Sequence, residues 1–114
     1  MLVGHSLGAR VMVVAAQALG TKADGPRVQA THLLGAAIGT EGDWSGLTAR
    51  VDDAVYNYHS PNDKVLKYLY ATVQPGQKAA GLKGFTPCPP KLKNVDVSAE
   101  VERHSDYHTK VTLL

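Results

Sequence analysis

The stretch that most constrains this chain is its opening, Met1-Leu2-Val3-Gly4-His5-Ser6-Leu7-Gly8-Ala9-Arg10. Gly4-His5-Ser6-Leu7-Gly8 fits G-x-S-x-G, a pattern in which a serine sits on a tight turn between a buried strand and a helix. A serine presented this way holds its hydroxyl off the backbone in a strained conformation. Side chains two residues before and two after are expected to collide with the turn, and glycine at both positions removes those collisions. Gly and Ser are common enough that the bare pattern arises by chance in roughly a few per cent of chains this long. Its surroundings therefore decide. Leu2-Val3 reads as an apolar strand end, and Ala9 to Leu19 carries the helical pattern that should follow the turn.

The rest of the chain alternates strand and helix signals. Residues 1–4 read as the end of a buried parallel strand, and residues 7–19 as a helix apolar on more than one face, closed by Gly20. A polar turn over residues 21–27 precedes a second strand at 28–34, which ends at Gly35. Residues 35–50 form a glycine-rich loop leading into a short helix near Trp44, with Trp44 a packing residue. The third strand lies within residues 51–58, centred on Ala54 to Tyr58. His59-Ser60-Pro61-Asn62-Asp63 is a turn, and residues 63–70 are a helix ended by Pro75. Residues 74–93, rich in Gly, Pro and Lys and without a period, read as a surface excursion. A short fourth strand at 95–97 and the start of a last helix at 107–114 complete the pattern. Such alternation predicts an α/β fold with parallel strands and helices on both faces. Folds of this kind place ligand-binding groups in the loops after the strands.

With 114 residues, 44% of them hydrophobic, the chain has the composition of one globular domain. A formal charge of +2 with scattered lysines argues against a nucleic-acid partner. Cys88 is the single cysteine, so neither an internal disulfide nor a cysteine-based zinc site can form, and its place between prolines marks a loop. No stretch approaches the roughly 18 apolar residues of a membrane span, and the first residues lack a signal peptide's charged start and long apolar core.

Serine is a weak nucleophile at neutral pH and needs a base within hydrogen-bond reach, usually a histidine oriented by a carboxylate. Asp63 after the third strand and His104 after the fourth supply the chain order Ser, Asp, His. Asp52 and Asp53 precede the third strand and fall at its far end; Asp43 and Asp96 are also poorly placed. Asp63 additionally suits a helix N-cap, a role compatible with the first. Among the histidines, His32 reads as a core residue. His5, inside the elbow with its ring directed away from the nucleophile, and His59, after the third strand, are the candidates for contact with substrate. The base is His104 or His108, and loop placement favours His104. His104 and His108 at i, i+4, with Asp106 or Asp63, offer a rival metal-binding reading that lacks the glutamate of the zincin motif. No metal or cofactor is therefore assigned. The backbone N–H of Leu7 is the expected oxyanion donor, at the positive end of the helix; its second partner belongs to a loop after an earlier strand.

Three stretches carry a family resemblance: Val3-Gly4-His5-Ser6-Leu7-Gly8-Ala9-Arg10-Val11, the run from Asn57 to Tyr70, and His104-Ser105-Asp106-Tyr107. The chain resembles the α/β-hydrolase superfamily. More narrowly, it resembles the domain-of-unknown-function family that includes the transmembrane and coiled-coil domain-containing proteins. The resemblance implies that Ser6, Asp63 and His104 match that family's triad. It also implies that the chain is the C-terminal half of an α/β-hydrolase fold, with the N-terminal strands and any membrane segments elsewhere. The expected activity is a serine hydrolase of the esterase, lipase or thioesterase kind, acting on an acyl ester or lipid. The competing expectation is a non-catalytic module of the same fold that binds a lipid or a protein partner.

In the hydrolase pattern the serine-bearing strand lies mid-sheet, so a chain beginning there presents a central strand as an edge. Residues 1–114 expressed alone are therefore expected to self-associate or aggregate and to show no esterase activity. Sedimentation and turnover of p-nitrophenyl esters check this; a monomeric, cooperatively melting and active 114-residue protein contradicts it.

Overall fold

A computed structural model describes residues 1–20, 26–72 and 78–114. The elements are β1 (Leu2–His5), α1 (Leu7–Gly20), β2 (Thr31–Leu34), α2 (Ser45–Thr48), β3 (Val55–His59), α3 (Lys64–Thr72), α4 (Ala80–Lys83) and β4 (Leu92–Asp96). A 3₁₀ turn at His104–Asp106 then runs into α5 (Tyr107–Lys110). The four strands form one all-parallel sheet in the order β1-β2-β3-β4. This is an α/β fold, as the alternating pattern predicts.

Because strand side chains alternate between faces, neighbouring residues of β2 serve two cores. Leu33 joins Val55 and Leu92 on one face, where Ala9, Val13 and Ala16 of α1, Leu47 of α2 and Ala80 of α4 pack. Leu34 joins Tyr58 on the other, closed by Val97, Val101 and Tyr107 of α5. Trp44 is buried against Phe85, ring centroids 4.6 Å apart and edge to face, and its indole N–H donates to the Thr40 carbonyl at 3.2 Å. It is a packing residue, as expected. His32 is likewise a core histidine, with Nδ1 2.9 Å from the Tyr58 hydroxyl and its ring stacked on Tyr56.

Several elements depart from the expected ones: the second strand starts at Thr31 and not at residue 28, where Val28 makes only an isolated bridge to Val51. Residues 79–85 are not a surface excursion, since Ala79, Ala80, Gly81 and Phe85 are buried. A Cβ on Gly81 would come within 2.5 Å of the Ala36 nitrogen, so only glycine lets α4 press against the loop after β2. Small side chains make close packing possible but give little hydropathy contrast, which is why this helix has no visible period. The fourth strand starts at Leu92, earlier than predicted, because Lys93 and Asn94 are exposed on an edge strand and mask its apolar alternation. The last helix ends at Lys110, before the predicted terminus. The expected helix stop at Pro75 and most of the turn at 21–27 lie outside the described residues.

At the other edge of the sheet, β1 leaves Val3 exposed, and α1 beside it exposes Leu7, Val11 and Val14. Among the described residues no helix is long and apolar enough to cross a membrane.

Burial holds His32 and His59 below the ordinary histidine value of 6.5. Both take up a proton at lower pH in the folded chain than in the unfolded one, so the unfolded state binds more protons as the solution is acidified through that range. Stability is therefore full above pH 6.5 and falls as pH drops through the window below it. Asp96 lies below its ordinary 3.8, so its contribution is lost only at lower pH. Thermal melts should show a Tm that is level from about pH 8 to about pH 7 and declines from about pH 6.5 to about pH 5. A Tm independent of pH across that range contradicts the lowered values of these rings.

Candidate active site

Ser6 stands between β1 and α1 with φ 58°, the one non-glycine residue at positive φ among the described residues. This left-handed conformation costs about 1–3 kcal/mol and persists only where its surroundings hold it. Here the Ser6 amide donates to the Leu34 carbonyl at 2.9 Å, and the Ser6 carbonyl accepts from the amides of Arg10 at 3.3 Å and Ala37 at 3.1 Å. A Cβ on Gly4 would lie 2.7 Å from the Gly8 carbonyl oxygen and 2.8 Å from Ala9 backbone atoms. Glycine is thus required at Gly4. The same expectation fails at Gly8, where an added Cβ meets nothing within 4 Å because the residue is exposed on the first turn of α1. The Leu7 amide belongs to that turn, where amides have no intrahelical carbonyl and the helix dipole is positive.

Asp63 is fully buried, at 0% exposure, in the turn between β3 and α3. One carboxylate oxygen, Oδ1, accepts the Leu66 amide at 3.0 Å and caps α3. The other, Oδ2, is hydrogen-bonded to His104 Nδ1. The helix cap and the bond to the histidine thus use different oxygens of one group. His104 is held by the 3₁₀ turn, whose Asp106 carboxylate accepts the amides of Glu102 at 3.2 Å and Arg103 at 3.1 Å. The loops carrying the pair are braced together upstream: Ser60 Oγ donates to the Val101 carbonyl at 3.0 Å, and Asn62 Nδ2 donates to the carbonyls of Ser98 and Val101, each at 3.1 Å. Sequence reasoning missed this brace, although Ser60 and Asn62 stand in the turn it had singled out.

Strand alternation sends His5 to the face opposite Gly4, toward α5. Its ring lies 4.6 Å from that of His104 and 5.5 Å from Tyr107, and its Nε2 is 3.0 Å from the His104 carbonyl oxygen. Burial, and next the nearby His104, hold His5 below the usual histidine range. A carbonyl oxygen can only accept, so His5 Nε2 carries the proton of this bond. The residue before the serine therefore anchors the turn that carries His104. Among the described residues no hydrogen bond joins the Ser6 hydroxyl to His104, whose Nδ1 is bonded to Asp63 and whose carbonyl is bonded to His5.

His108 is exposed on α5 with its ring 6.1 Å from His5. Asp63 is bonded to His104 and not to it. His59, half-buried at the end of β3, has a buried Nδ1 without a hydrogen-bond partner and lies near Asp96 and Leu82. Among the described residues no group of three or more His, Cys, Asp or Glu side chains is arranged to hold a metal. Asp52 sits at the far end of the sheet, paired with Arg27 at 2.5 Å.

The elbow geometry separates its two glycines. Gly4→Ala should cost about 1–3 kcal/mol through overpacking against backbone, whereas Gly8→Ala should change stability by less than about 1 kcal/mol. Urea midpoints of the full-length variants measure both; equal costs contradict the geometry described.

Two similar proteins share most of this chain. A protein of Schizosaccharomyces pombe described as an uncharacterized membrane protein is 30% identical over 115 residues, covering 99% of the chain and 15% of its own length. A transmembrane and coiled-coil domain-containing protein of Oryza sativa subsp. japonica is 32% identical over 108 residues, covering 93% of the chain and 16% of its own length. The chain thus spans about one sixth of the length of these relatives. No solved structure matches significantly. The family model described as "Protein of unknown function (DUF726)" matches residues 1–114, and the chain belongs to that family.

Proposed function

We propose that this chain is the C-terminal half of an α/β-hydrolase fold and carries the triad of a serine hydrolase that cleaves a carboxylic ester or thioester through an acyl-enzyme. The observation that supports this reading best is the bond between His104 Nδ1 and the buried Asp63 carboxylate, on a turn anchored to the residue next to a serine at positive φ. A carboxylate at Nδ1 fixes the tautomer that leaves Nε2 free to accept a proton.

In this mechanism Ser6 Oγ attacks the acyl carbon while His104 Nε2 takes the hydroxyl proton. The imidazolium so formed is stabilised by Asp63, which remains ionised. The carbonyl oxygen gains negative charge and accepts from the Leu7 amide. Collapse of the tetrahedral intermediate breaks the bond to the leaving alcohol or thiol, which receives the proton from His104. Water then enters, gives a proton to His104 and attacks the acyl carbon. Ser6 recovers its hydrogen and the carboxylic acid departs.

A fluorophosphonate probe on the full-length protein should label Ser6, with no labelling in Ser6→Ala. His104→Ala should lower ester turnover by about 10³-fold or more, His108→Ala by only a few-fold, and a chelator should have no effect. Persistent labelling of the alanine variant removes Ser6 from its role. A reversed ranking of the two histidines moves the base to His108, and zinc-restored loss on chelation supports a metal site. A well-folded protein with neither labelling nor turnover supports the lipid- or protein-binding module instead.

A further inference from the structure

Next to the Asp63–His104 pair the surface opens into a cavity of about 620 Å³. Its walls include His104 itself, Lys64, Val65 and Lys67 of α3, and Glu102 and Arg103 from the segment that leads into the 3₁₀ turn. Lys64 and Lys67 are spaced i, i+3 and so share one side of the helix. Among the described residues neither lysine nor Arg103 forms an ion pair. Glu102 is the one acid among the lining residues, so three basic side chains and one acidic side chain line a cavity whose wall includes His104, with the Asp63 carboxylate bonded to that histidine and the Asp106 carboxylate to the amides of Glu102 and Arg103. Unpaired like charges gathered on one concavity repel one another, and an anion entering it relieves that repulsion.

The charge and the donors select the anion. A phosphate monoester carries about −1.5 to −2 charge at neutral pH, which three basic side chains on one wall can receive. The guanidinium of Arg103 offers a planar fork that matches phosphate oxygens, and the lysines supply compact charges that adapt to them. Val65 gives an apolar contact beside the anion. We infer that this cavity binds the phosphate of a phosphate-bearing ester, holding it beside His104 while the acyl bond is presented to Ser6. The phosphate is a recognition group and is not cleaved. The inference rests on the hydrolase reading for the ester part and on the cavity alone for the phosphate part.

The test compares monomeric dibutyryl phosphatidate with dibutyrylglycerol, which shares its acyl groups and lacks its charge, on the full-length protein. The phosphate ester should show kcat/KM at least about tenfold higher at low salt, with the advantage shrinking as salt screens the cavity. In the Lys64→Gln/Lys67→Gln/Arg103→Gln variant the ratio of the two should fall toward one. Because the ratio is taken within each variant, partial loss of folded protein does not affect it. A ratio near one in the unaltered protein, or one unchanged by the three substitutions, overturns the inference while leaving the hydrolase reading standing. Calorimetry of hexyl phosphate binding to Ser6→Ala separates the opposite case. Binding that weakens tenfold or more in the charge-removed background, with neither ester hydrolysed, sustains the cavity assignment and defeats the hydrolase reading. No binding of hexyl phosphate overturns the assignment. Preference for long-chain phosphatidate in vesicles over the dibutyryl monomer identifies a lipid headgroup as the source of the phosphate. The reverse preference identifies a soluble ester, and both agree with the proposed chemistry.

Discussion

The structure depends on how one buried carboxylate is satisfied. Removing Asp63 from water without partners would cost several kcal/mol, and the fold meets that requirement from two sides. The Leu66 amide in the first turn of α3 donates to one oxygen, and the ring of His104, more than forty residues later, approaches the other. The carboxylate thus joins the loop after β3 to the turn after β4, and the Ser60 and Asn62 bonds to the 98–101 segment keep the two at fixed distance. Gly35 belongs to the same arrangement. At φ +56°, it lies where a Cβ would meet the Tyr107 ring at 2.8 Å and Asp63 Oδ2 at 3.4 Å, so bare backbone makes room for both.

The elbow is coupled to this pair through His5. A parallel sheet places the carboxyl ends of β1, β2, β3 and β4 side by side, which is why residues distant in sequence meet at one end. Ser6 is tied to the end of β2 through Leu34 and Ala37, and His5 reaches across the α5 face to the His104 carbonyl. Strain at one residue is held by neighbours from three segments.

Much of this could be read from the sequence because the constraints were local. Gly4 and Ser6 announce a turn that few other residues permit, and Asp63 stands where a carboxylate can both cap a helix and follow a strand. The choice of His104 over His108 rested on the difference between a loop and a helix face, and the structure brings His104 to Asp63. What escaped reading is tertiary or low in contrast. Nothing local says that Gly81 touches Ala36, that Lys93 and Asn94 belong to an edge strand, or that His5 contacts the turn carrying His104. The requirement attributed to Gly8 was inferred from the motif; the structure locates the crowding at Gly4 alone.

The central claim is that Asp63 and His104 form one hydrogen-bonded unit with the histidine fixed in a single tautomer. Proton NMR of the full-length protein with labelled histidine tests it most directly. A far-downfield imidazole proton assigned to His104 Nδ1, lost in Asp63→Ala and retained in His108→Ala, is the predicted result. A His104 ring with its proton on Nε2, or an Nδ1 proton insensitive to removal of the Asp63 carboxylate, would contradict the account.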